Sequence, residues 1–398
     1  MLDPATRQLV KATAPVLQQH GLTLTRHFYA RMFQHNPELR ELFNQGHQRS
    51  GAQQQALAMA VAAYAEHIDD PTVLLPVLER IAHKHVSLGI RREQYAIVGQ
   101  HLLASIQEVL GTAATPELVQ AWAAAYGQLA HLLIGLEQTL YDKAATQPGG
   151  WSGWRTFRVA RKQPESAEIT SFELVPADGG PVPGYQPGQY VTVRLVVPGL
   201  GYRQPRQYSL SDAPGKGVLR ISVKREGGAA PQPDGMVSHQ LHRDVAEGDT
   251  LEVSPPAGDF FLHEDRQTPV VLVSAGVGIT PVMAMLEHLH RQHSGRTVRF
   301  WHASRHPGVQ AFAPRVRDIV RALPDAQAWV VHEQPDPADA CDAPGRLDLS
   351  TLPLPDDADF YVCGPRGFMH AQIQTLHRRG VPPGRIHAEA FGTGGVGA

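Results

Sequence analysis

Glycine and proline are unevenly distributed along this chain of 398 residues, and the imbalance constrains its possible folds more than any other feature. Residues 1–147 contain only 8 of the 37 glycines and 6 of the 32 prolines. Both residue types interrupt regular structure and favour turns, so a segment poor in them can form long helices. We therefore predict that the first part is all helical and that the remainder is rich in strands and loops.

Apolar residues in the first part recur every three or four positions, which is the spacing of a helix with one buried face. Proline is tolerated at the start of a helix, and glycine is favoured just beyond its end. Pro71 and Pro116 suit the first role, and Gly21 and Gly89 suit the second. Together these signals predict helices over residues 3–19, 22–35, 51–68, 73–87, 93–110 and 116–143.

The remainder follows a linker of sequence QPGG at residues 147–150. Short alternating segments that are separated by turn residues are typical of a small antiparallel barrel. They predict strands over residues 154–163, 168–176, 189–197, 206–211, 218–225 and 249–254.

Beyond residue 265, apolar runs alternate with helical segments, which indicates a doubly wound parallel sheet. The predicted strands cover residues 269–274, 297–303, 327–332 and 359–363, and the predicted helices cover 280–293, 312–322 and 366–379. The chain is thus predicted to be multidomain, with an all-α domain over 1–147, an antiparallel β-barrel domain over 151–264 and an α/β domain over 265–398.

The composition argues against several classes of protein. A formal net charge of -2 provides no basic field for nucleic acid, so we expect no nucleic-acid partner. Two cysteines, Cys341 and Cys363, are too few for a disulfide framework. The most apolar helical stretch, residues 118–140, contains polar residues such as His131 and Glu137, so we expect no stable membrane insertion. Residues 1–8 show no basic segment followed by an apolar core, so we expect no secretory signal and a cytoplasmic monomer.

The segment PVVLVSAGVGITP at residues 269–281 predicts a buried strand that runs into a glycine turn. Gly276 and Gly278 would let a pyrophosphate approach the backbone closely. Pro281 suits a helix start, and the N-terminus of a helix favours negative charge. Taken alone, the motif is also compatible with an ordinary strand-to-helix turn.

The segment RQYS at residues 206–209 lies on a predicted barrel strand. Alternation places Arg206 and Tyr208 on one face, and Gln207 and Ser209 on the other. A flavin needs a cation for its pyrophosphate, an aromatic surface beside its ring and a hydroxyl near its redox nitrogen. This segment offers all three, although a half-exposed strand with polar side chains would show the same pattern.

Three further motifs follow in the sequence, and the five together resemble the ferredoxin–NADP reductase family over residues 154–398. They are KRE at 224–226 followed by GMVS at 235–238, FYVCGP at 360–365 and EAFG at 389–392. Gly235 and Ser238 can open a short helix whose amides bind a phosphate. The resemblance implies a barrel that binds FAD and an α/β domain that binds NADH or NADPH.

The resemblance also implies individual roles. Arg206 and Tyr208 would contact the flavin phosphate and ring, Ser209 would lie near its reactive nitrogen, and Phe391 would stack on it. Cys363 would lie near the nicotinamide, although from the sequence alone a small buried strand residue is the simpler interpretation. The other implied cofactor-binding residues are Tyr190, Gln207, Lys224, Gly235, Val237, Ser238, Gly276, Val277, Gly278, Thr280, Pro281, Gly364 and Pro365.

The choice between NADH and NADPH stays open at this stage. Ser304 and Arg305 follow a predicted strand of the α/β domain. A serine–arginine pair there could hold a 2′-phosphate and favour NADPH. A solvated loop would explain the pair equally well.

In the helical part, three polar residues fall on or beside apolar stripes. His85 shares a stripe with Leu78 and Ala82, so it is either a metal ligand or a core histidine with a hydrogen-bonding neighbour. Gln53 shares a face with Leu57, and Tyr29 lies among phenylalanines. When buried, each of these polar groups needs a partner.

As a set, these residues resemble the globin domain of the flavohaemoglobins, and the resemblance covers essentially the whole chain. The matching segments are 27–33, 35–39, 82–85 and 93–95. The resemblance implies that His85 is the proximal ligand of haem b, with Tyr95 and Glu137 as its hydrogen-bonding partners. Tyr29 and Gln53 become distal groups, and Leu57, Phe43 and Lys84 become haem contacts.

The family reading further implies a nitric oxide dioxygenase, in which NO and O2 are converted to nitrate and the haem is re-reduced by NAD(P)H through FAD. The predicted catalytic residues are Tyr29, Gln53, Tyr95 and Glu137. Two alternatives remain. The same cofactors could serve a hydroperoxide or quinone/ferric reductase, or the chain could be a haem-based sensor of O2 or NO.

Overall fold

In the computed structural model, the chain divides into two compact units. The described residues are 2–228, 234–336 and 341–392. The first unit contains the residues up to Thr146 together with the segments Trp151–Trp154 and Pro198–Arg206. The second unit contains the rest of the chain, including most of the barrel and all strands of the α/β part. The predicted limits of the three domains stay predictions.

The residues up to Thr146 are helical, as the scarcity of glycine and proline predicts. The α-helices are α1 (Pro4–Ala12), α2 (Ala14–His35), α3 (Gln45–Ser50), α4 (Ala52–Glu66), α5 (Leu75–Leu88), α6 (Arg92–Leu110) and α7 (Pro116–Thr146). Short 3-10 helices cover Pro37–Leu42, Pro71–Leu74 and Gly111–Ala113. Pro116 opens α7 and Gly89 ends α5 in a left-handed conformation, as predicted.

The predicted helix end at Gly21 is wrong, because Gly21 lies inside α2. A Cβ atom at this position would come within 3.2 Å of the Ala58 Cβ atom on α4. The missing side chain therefore lets α2 and α4 approach closely, which offsets the cost of about 1 kcal/mol for glycine within a helix. The helical segment is instead interrupted at Thr13, between α1 and α2. The Thr13 hydroxyl donates a hydrogen bond to the Val10 carbonyl at 2.6 Å.

The longest helix of this unit lies in the protein interior along part of its length. α7 has 31 residues and buries Trp122, Leu133 and Glu137. Among the described residues, no helix combines the length and the apolar character that crossing a bilayer requires.

The first sheet is antiparallel, as predicted for the segment after the linker. Its strands are β1 (Arg155–Pro164), β2 (Ile169–Pro176), β3 (Tyr190–Val197), β4 (Tyr202–Ser209), β5 (Leu219–Lys224) and β6 (Thr250–Val253), in the order β4-β3-β6-β1-β2-β5. An antiparallel bridge from Leu210 to Ile221 joins the two ends of this order, so the sheet closes as a barrel. β4 begins four residues before the predicted start, in a stretch whose polar residues hide the strand pattern. The helix α8 (Met236–Asp244) follows Gly235, as the GMVS motif predicts.

The second sheet is parallel and confirms the doubly wound prediction. It comprises β7 (Val270–Ala275), β8 (Val298–Ser304), β9 (Ala326–His332), β10 (Ala343–Pro344), β11 (Asp359–Cys363) and β12 (Ile386–Glu389), in the order β10-β9-β8-β7-β11-β12. The helices between them are α9 (Ile279–Arg291), α10 (Ala313–Ala322) and α11 (Arg366–Arg378). The prediction missed β10 and β12, which lack the continuous apolar runs of the central strands.

The strand β7 explains why the central run is apolar at every position. Val270 and Leu272 belong to one apolar cluster, whereas Val271 and Val273 belong to another. All four side chains are fully buried. Because both faces of a doubly wound sheet are covered, its central strands cannot alternate between apolar and polar residues.

The packing between α6 and α7 generates a first prediction. A Cβ atom on Gly99 would lie 2.5 Å from Cε1 of Tyr126, and the Tyr126 hydroxyl is fixed by a 2.6 Å hydrogen bond to the Tyr95 carbonyl. We expect Gly99→Ala to destabilise the helical unit by about 1–3 kcal/mol through overpacking. The midpoint of thermal unfolding, followed by circular dichroism at a helix-sensitive wavelength, measures the effect.

Gly127→Ala is the matched control, because a Cβ atom there would meet nothing within 4 Å. Helix propensity then dominates, and this variant should gain about 0.5–1 kcal/mol. A Gly99→Ala protein that unfolds at or above the midpoint of Gly127→Ala would contradict the packing argument.

Candidate cofactor sites

Three helices bring His85, Tyr95 and Glu137 together. His85 Nδ1 on α5 lies 2.7 Å from Oε1 of Glu137 on α7 and 3.1 Å from the hydroxyl of Tyr95 on α6. The Tyr95 hydroxyl also donates a hydrogen bond to Glu137. Glu137 is 3% exposed, so these bonds provide the partners that a buried carboxylate requires.

This arrangement fixes the chemistry of the imidazole. An acceptor at Nδ1 keeps the hydrogen on that nitrogen, which directs the lone pair of Nε2 away from Glu137 and leaves it able to bind a metal. Burial, and then the neighbouring Glu137, raise the pKa of Tyr95 well above its usual range. Tyr95 therefore stays protonated and can always donate its hydrogen bond to Glu137. An imidazole held in this way is suited to be the histidine ligand of haem iron.

A second polar group forms around Tyr29 on α2. Tyr29 is 6% exposed, and its ring lies edge-on to Phe43 at a centroid distance of 5.6 Å. Burial raises the pKa of Tyr29 well above its usual range, although a hydrogen bond with Gln53 acts in the opposite direction. Leu57 on α4 packs against the same apolar cluster. The structure thus brings Tyr29 and Gln53 together in an apolar environment.

Gln48 was not predicted as a site residue. Its Nε2 donates a hydrogen bond to Oε1 of Gln53 at 2.9 Å, and its Oε1 accepts one from Gln54 at 2.8 Å. Gln48 lies on α3, which the sequence pattern does not reveal because the segment has no apolar stripe. It fixes the orientation of the Gln53 amide relative to Tyr29.

The polar residues around His85 and those around Tyr29 adjoin the same apolar interior. Leu74 and Leu129 pack against both the cluster that contains Tyr29 and the cluster that contains Tyr95. Lys84 precedes His85 on α5 and is half-buried. An apolar interior that adjoins both a histidine ligand and a hydroxyl donor suits a large flat group such as haem.

In the second unit, the glycine turn lies between β7 and α9, as predicted. Gly276 has a φ of 54°, a conformation that favours glycine. A Cβ atom on Gly278 would clash with the backbone carbonyl of Cys363 at the end of β11. Thr280 closes the turn by donating a hydrogen bond to the Val277 carbonyl at 3.0 Å, and Pro281 continues α9.

The strand order reverses between β7 and β11, because β8 and β9 lie on one side of β7 and β12 lies beyond β11. Nucleotides bind at the carboxyl ends of strands at such a switch point. Cys363 ends β11 there, and Gly364 and Pro365 lead into α11. Burial, and to a lesser degree Glu389, raise the pKa of the Cys363 thiol, so the sulfur stays protonated.

The RQYS segment lies on a barrel strand, as expected, and it forms the end of β4. Ser209 is buried, whereas Arg206, Gln207 and Tyr208 are half-buried. Tyr190, the first residue of β3, packs closely against Gly258, whose Cβ atom would lie 3.0 Å from the tyrosine ring.

The predicted phosphate-binding helix is α8. Gly235 precedes it, and the Ser238 hydroxyl donates to the Gly235 carbonyl and accepts from the Glu226 amide. Val237 is buried in the core, and Lys224 forms an ion pair with Glu226 at 3.2 Å. The hydroxyl of Ser238 therefore shapes the helix start, while the amides of that turn suit a phosphate. Phe391 follows β12 and is 41% exposed, and its stacking on a flavin stays a prediction.

Comparison with known families defines the class of protein. The Globin family model matches residues 26–133. The oxidoreductase FAD-binding domain matches residues 156–262, and the oxidoreductase NAD-binding domain matches residues 272–374. The chain is an oxidoreductase in which a globin is joined to an FAD- and NAD-binding reductase, and its cofactors are haem, FAD and a nicotinamide nucleotide.

Individual relatives define the family. The chain is 62% identical to the flavohemoprotein of Bordetella parapertussis over 100% of both chains, and 59% identical to that of Chromobacterium violaceum over 99% of both. It matches the flavohemoglobin of Malassezia yamatoensis, solved with bound FAD and haem, with a TM-score of 0.87 and 30% identity over 98% of this chain and 100% of that one. It also matches the FAD/NAD-binding domain of the nitric oxide dioxygenase of Vibrio cholerae, with a TM-score of 0.56 and 45% identity over 60% of this chain and 98% of that one. The chain belongs to the flavohemoprotein family.

The parallel sheet contains a buried histidine that generates a pH prediction. His302 on β8 is 1% exposed and bonds the Ser274 hydroxyl at 2.9 Å. Burial, with a smaller effect of His332, lowers the pKa of His302 from 6.5 to about 3. The unfolded chain therefore takes up this proton before the folded chain does, and the stability that the neutral ring contributes is lost as pH falls from about 6.5 towards 3.

We expect His302→Gln to flatten the fall of the free energy of unfolding between pH 6.5 and pH 4. One proton changes that slope by at most about 1.4 kcal/mol per pH unit. Urea unfolding at a series of pH values measures the slope. The exposed His370 on α11 provides the control, since His370→Gln should leave the slope unchanged. Equal slopes in the two variants would exclude His302 as the source.

Proposed function

We propose that this chain is a nitric oxide dioxygenase that converts NO and O2 to nitrate with electrons from NAD(P)H. The observation that supports this most directly is the pairing of the buried Tyr29 hydroxyl with Gln53, beside an apolar cluster that adjoins the one containing Tyr95. We assign residues 1–147 to haem binding, 151–264 to FAD binding and 265–398 to nicotinamide binding, in a cytoplasmic monomer.

A haem b held by Nε2 of His85 would supply the iron at which the two gases react, and FAD would carry electrons to it from the nicotinamide. On the protein side, Arg206 and Tyr208 bind the flavin, and the amides around Gly276 and Gly278 bind the phosphates of the nucleotide. The protonated Cys363 presents a small neutral group at the end of β11.

The role of Glu137 is to draw the Nδ1 hydrogen of His85 towards itself. This hydrogen bond of 2.7 Å gives the imidazole partial anionic character and makes Nε2 a stronger electron donor. Tyr95 donates to the same carboxylate and holds it in place. An iron held by Nε2 of His85 would therefore have a strongly electron-donating ligand, which favours negative charge on an oxygen substrate.

The role of Tyr29 would be to donate a hydrogen bond to that substrate. Its raised pKa keeps the hydroxyl protonated at physiological pH, so the group can donate a hydrogen bond to an oxygen that becomes negative. Such a bond is strongest in a dry, apolar pocket. Gln53, oriented by Gln48, directs the hydroxyl and adds a second polar group beside it.

The decisive experiment follows NO consumption and nitrate formation by the holoprotein in air with NADH or NADPH. We expect nitrate in proportion to the NO consumed, at a rate far above that of free haem. Turnover of a lipid hydroperoxide or a quinone without nitrate formation would contradict the proposal and favour a reductase. Slow use of both nicotinamide nucleotides with every acceptor would favour a sensor.

Tyr29→Phe should increase the rate of O2 dissociation from the reduced protein by about 10- to 100-fold, because a hydrogen bond to a charged group is worth about 1.5–3 kcal/mol. Flash photolysis or stopped-flow mixing measures the rate. The matched control is Tyr64→Phe, which removes another buried hydroxyl that is bonded to the Ala125 carbonyl at 3.0 Å. Equal O2 dissociation rates in the two variants would rule out a specific role for Tyr29.

Glu137→Gln should lower the iron–histidine stretching frequency in resonance Raman spectra and reduce nitrate formation about tenfold, because a neutral amide draws the Nδ1 hydrogen less strongly. Glu108→Gln is the control, since Glu108 is a carboxylate on an exposed part of α6 that forms an ion pair with Arg31 at 3.1 Å. An unchanged stretching frequency in Glu137→Gln would show that the carboxylate does not tune the ligand.

A further inference from the structure

Arg305 occupies the position at which dinucleotide-binding sheets distinguish their coenzymes. It follows β8, the strand next to β7 and its glycine turn. In such sheets, the end of this strand lies near the ribose 2′ position, where an acidic residue favours the hydroxyl of NADH and an arginine favours the phosphate of NADPH. The neighbouring Ser304 is 6% exposed, and its hydroxyl is directed to the His306 carbonyl at 3.4 Å. Arg305 is thus the residue that can meet a 2′-phosphate.

A carboxylate from the barrel already engages this arginine. Arg305 Nη2 forms an ion pair with Oε1 of Glu168, which immediately precedes β2. Backbone hydrogen bonds fix the position of Glu168, because its carbonyl accepts from the Arg225 amide at 2.8 Å and the Ala167 amide donates to the Gly308 carbonyl at 2.9 Å. The loop before β2 is therefore attached to the turn that follows β8, and the ion pair is part of that attachment.

We infer that Glu168 makes the nucleotide site select NADH over NADPH by occupying Arg305. A 2′-phosphate would have to displace the carboxylate and would then lie beside it, so the favourable charge of Arg305 is cancelled before the phosphate arrives. A 2′-hydroxyl carries no charge and is not penalised. Glu168 is a positioning residue that acts through Arg305. The inference rests on nicotinamide binding and holds whether or not NO is the second substrate.

A second carboxylate is located nearby but is engaged elsewhere. The Glu333 amide donates to the Ser304 carbonyl at 3.0 Å, which places Glu333 beside the end of β8. Its carboxylate pairs with Arg346 at 3.1 Å. Glu333 therefore offers a matched control, since Glu333→Gln removes the same charge from the same strand edge without releasing Arg305.

The expected change in NADPH preference depends on how exposed the Arg305–Glu168 ion pair is. The side chains of Arg305 and Glu168 are 59% and 28% exposed, so solvent screens the pair. For partly exposed pairs of this kind, we expect changes of about 3- to 10-fold, and not of several orders of magnitude.

The test uses the holoprotein and two measurements that do not involve NO. The first is the reduction of ferricyanide by NADH and by NADPH, and the second is the binding of 2′,5′-ADP by calorimetry. Wild type should show the higher kcat/KM with NADH. Glu168→Gln should lower KM for NADPH and tighten 2′,5′-ADP binding by about 3- to 10-fold, with kcat and the NADH constants unchanged. Glu168→Asp retains the charge and should retain the preference of the wild type.

The double variant Glu168→Gln/Arg305→Ala decides whether the effect passes through Arg305. We expect it to lose the gain in 2′,5′-ADP affinity, whereas Glu333→Gln should show no gain. Unchanged 2′,5′-ADP affinity in Glu168→Gln, or an equal gain in the double variant, would overturn the inference. Failure to form nitrate affects neither measurement, so the two proposals fail independently.

Discussion

The hydrogen bond between His85 and the buried carboxylate of Glu137 is the interaction on which the helical unit and its proposed chemistry depend. A carboxylate that is 3% exposed is tolerated only when donors surround it, and the two donors come from different helices. The same bond that compensates this burial also fixes the tautomer of the imidazole. The bonds that stabilise the buried Glu137 are thus the same bonds that prepare His85 to bind a metal. Both effects require α5, α6 and α7 to keep their relative positions.

In the second unit, the corresponding constraint is a steric one. The turn after β7 approaches the end of β11 so closely that no side chain fits at Gly278. This approach is what aligns the open turn, the start of α9 and Cys363 at one edge of the parallel sheet. The predicted nucleotide site thus depends on strand order and on one missing side chain.

The helices and strands could be predicted from the sequence wherever the local pattern of apolar residues agrees with their burial in the tertiary structure. The apolar run of β7 and the helical stripe that carries His85 are such cases. Gly21 is not, because its place within α2 depends on the approach of Ala58, which lies on another helix. The sequence pattern does not predict the short strands β10 and β12 or the helix α3 with Gln48. These elements form because of the neighbours that they contact, and not because of their own composition. The site residues were suggested mainly by family resemblance, whereas the pairing of Arg305 with Glu168 could be found only in three dimensions.

The protonation state of Cys363 has a consequence for the lifetime of the protein. Thiolates are the forms of cysteine that oxidants and nitrosating agents attack, and thiols held above their usual pKa are inert in comparison. Cys363 is fully buried, and its charged form is disfavoured both by burial and by Glu389. This reductase thereby keeps a sulfur at the end of β11 that is chemically shielded from oxidants and nitrosating agents.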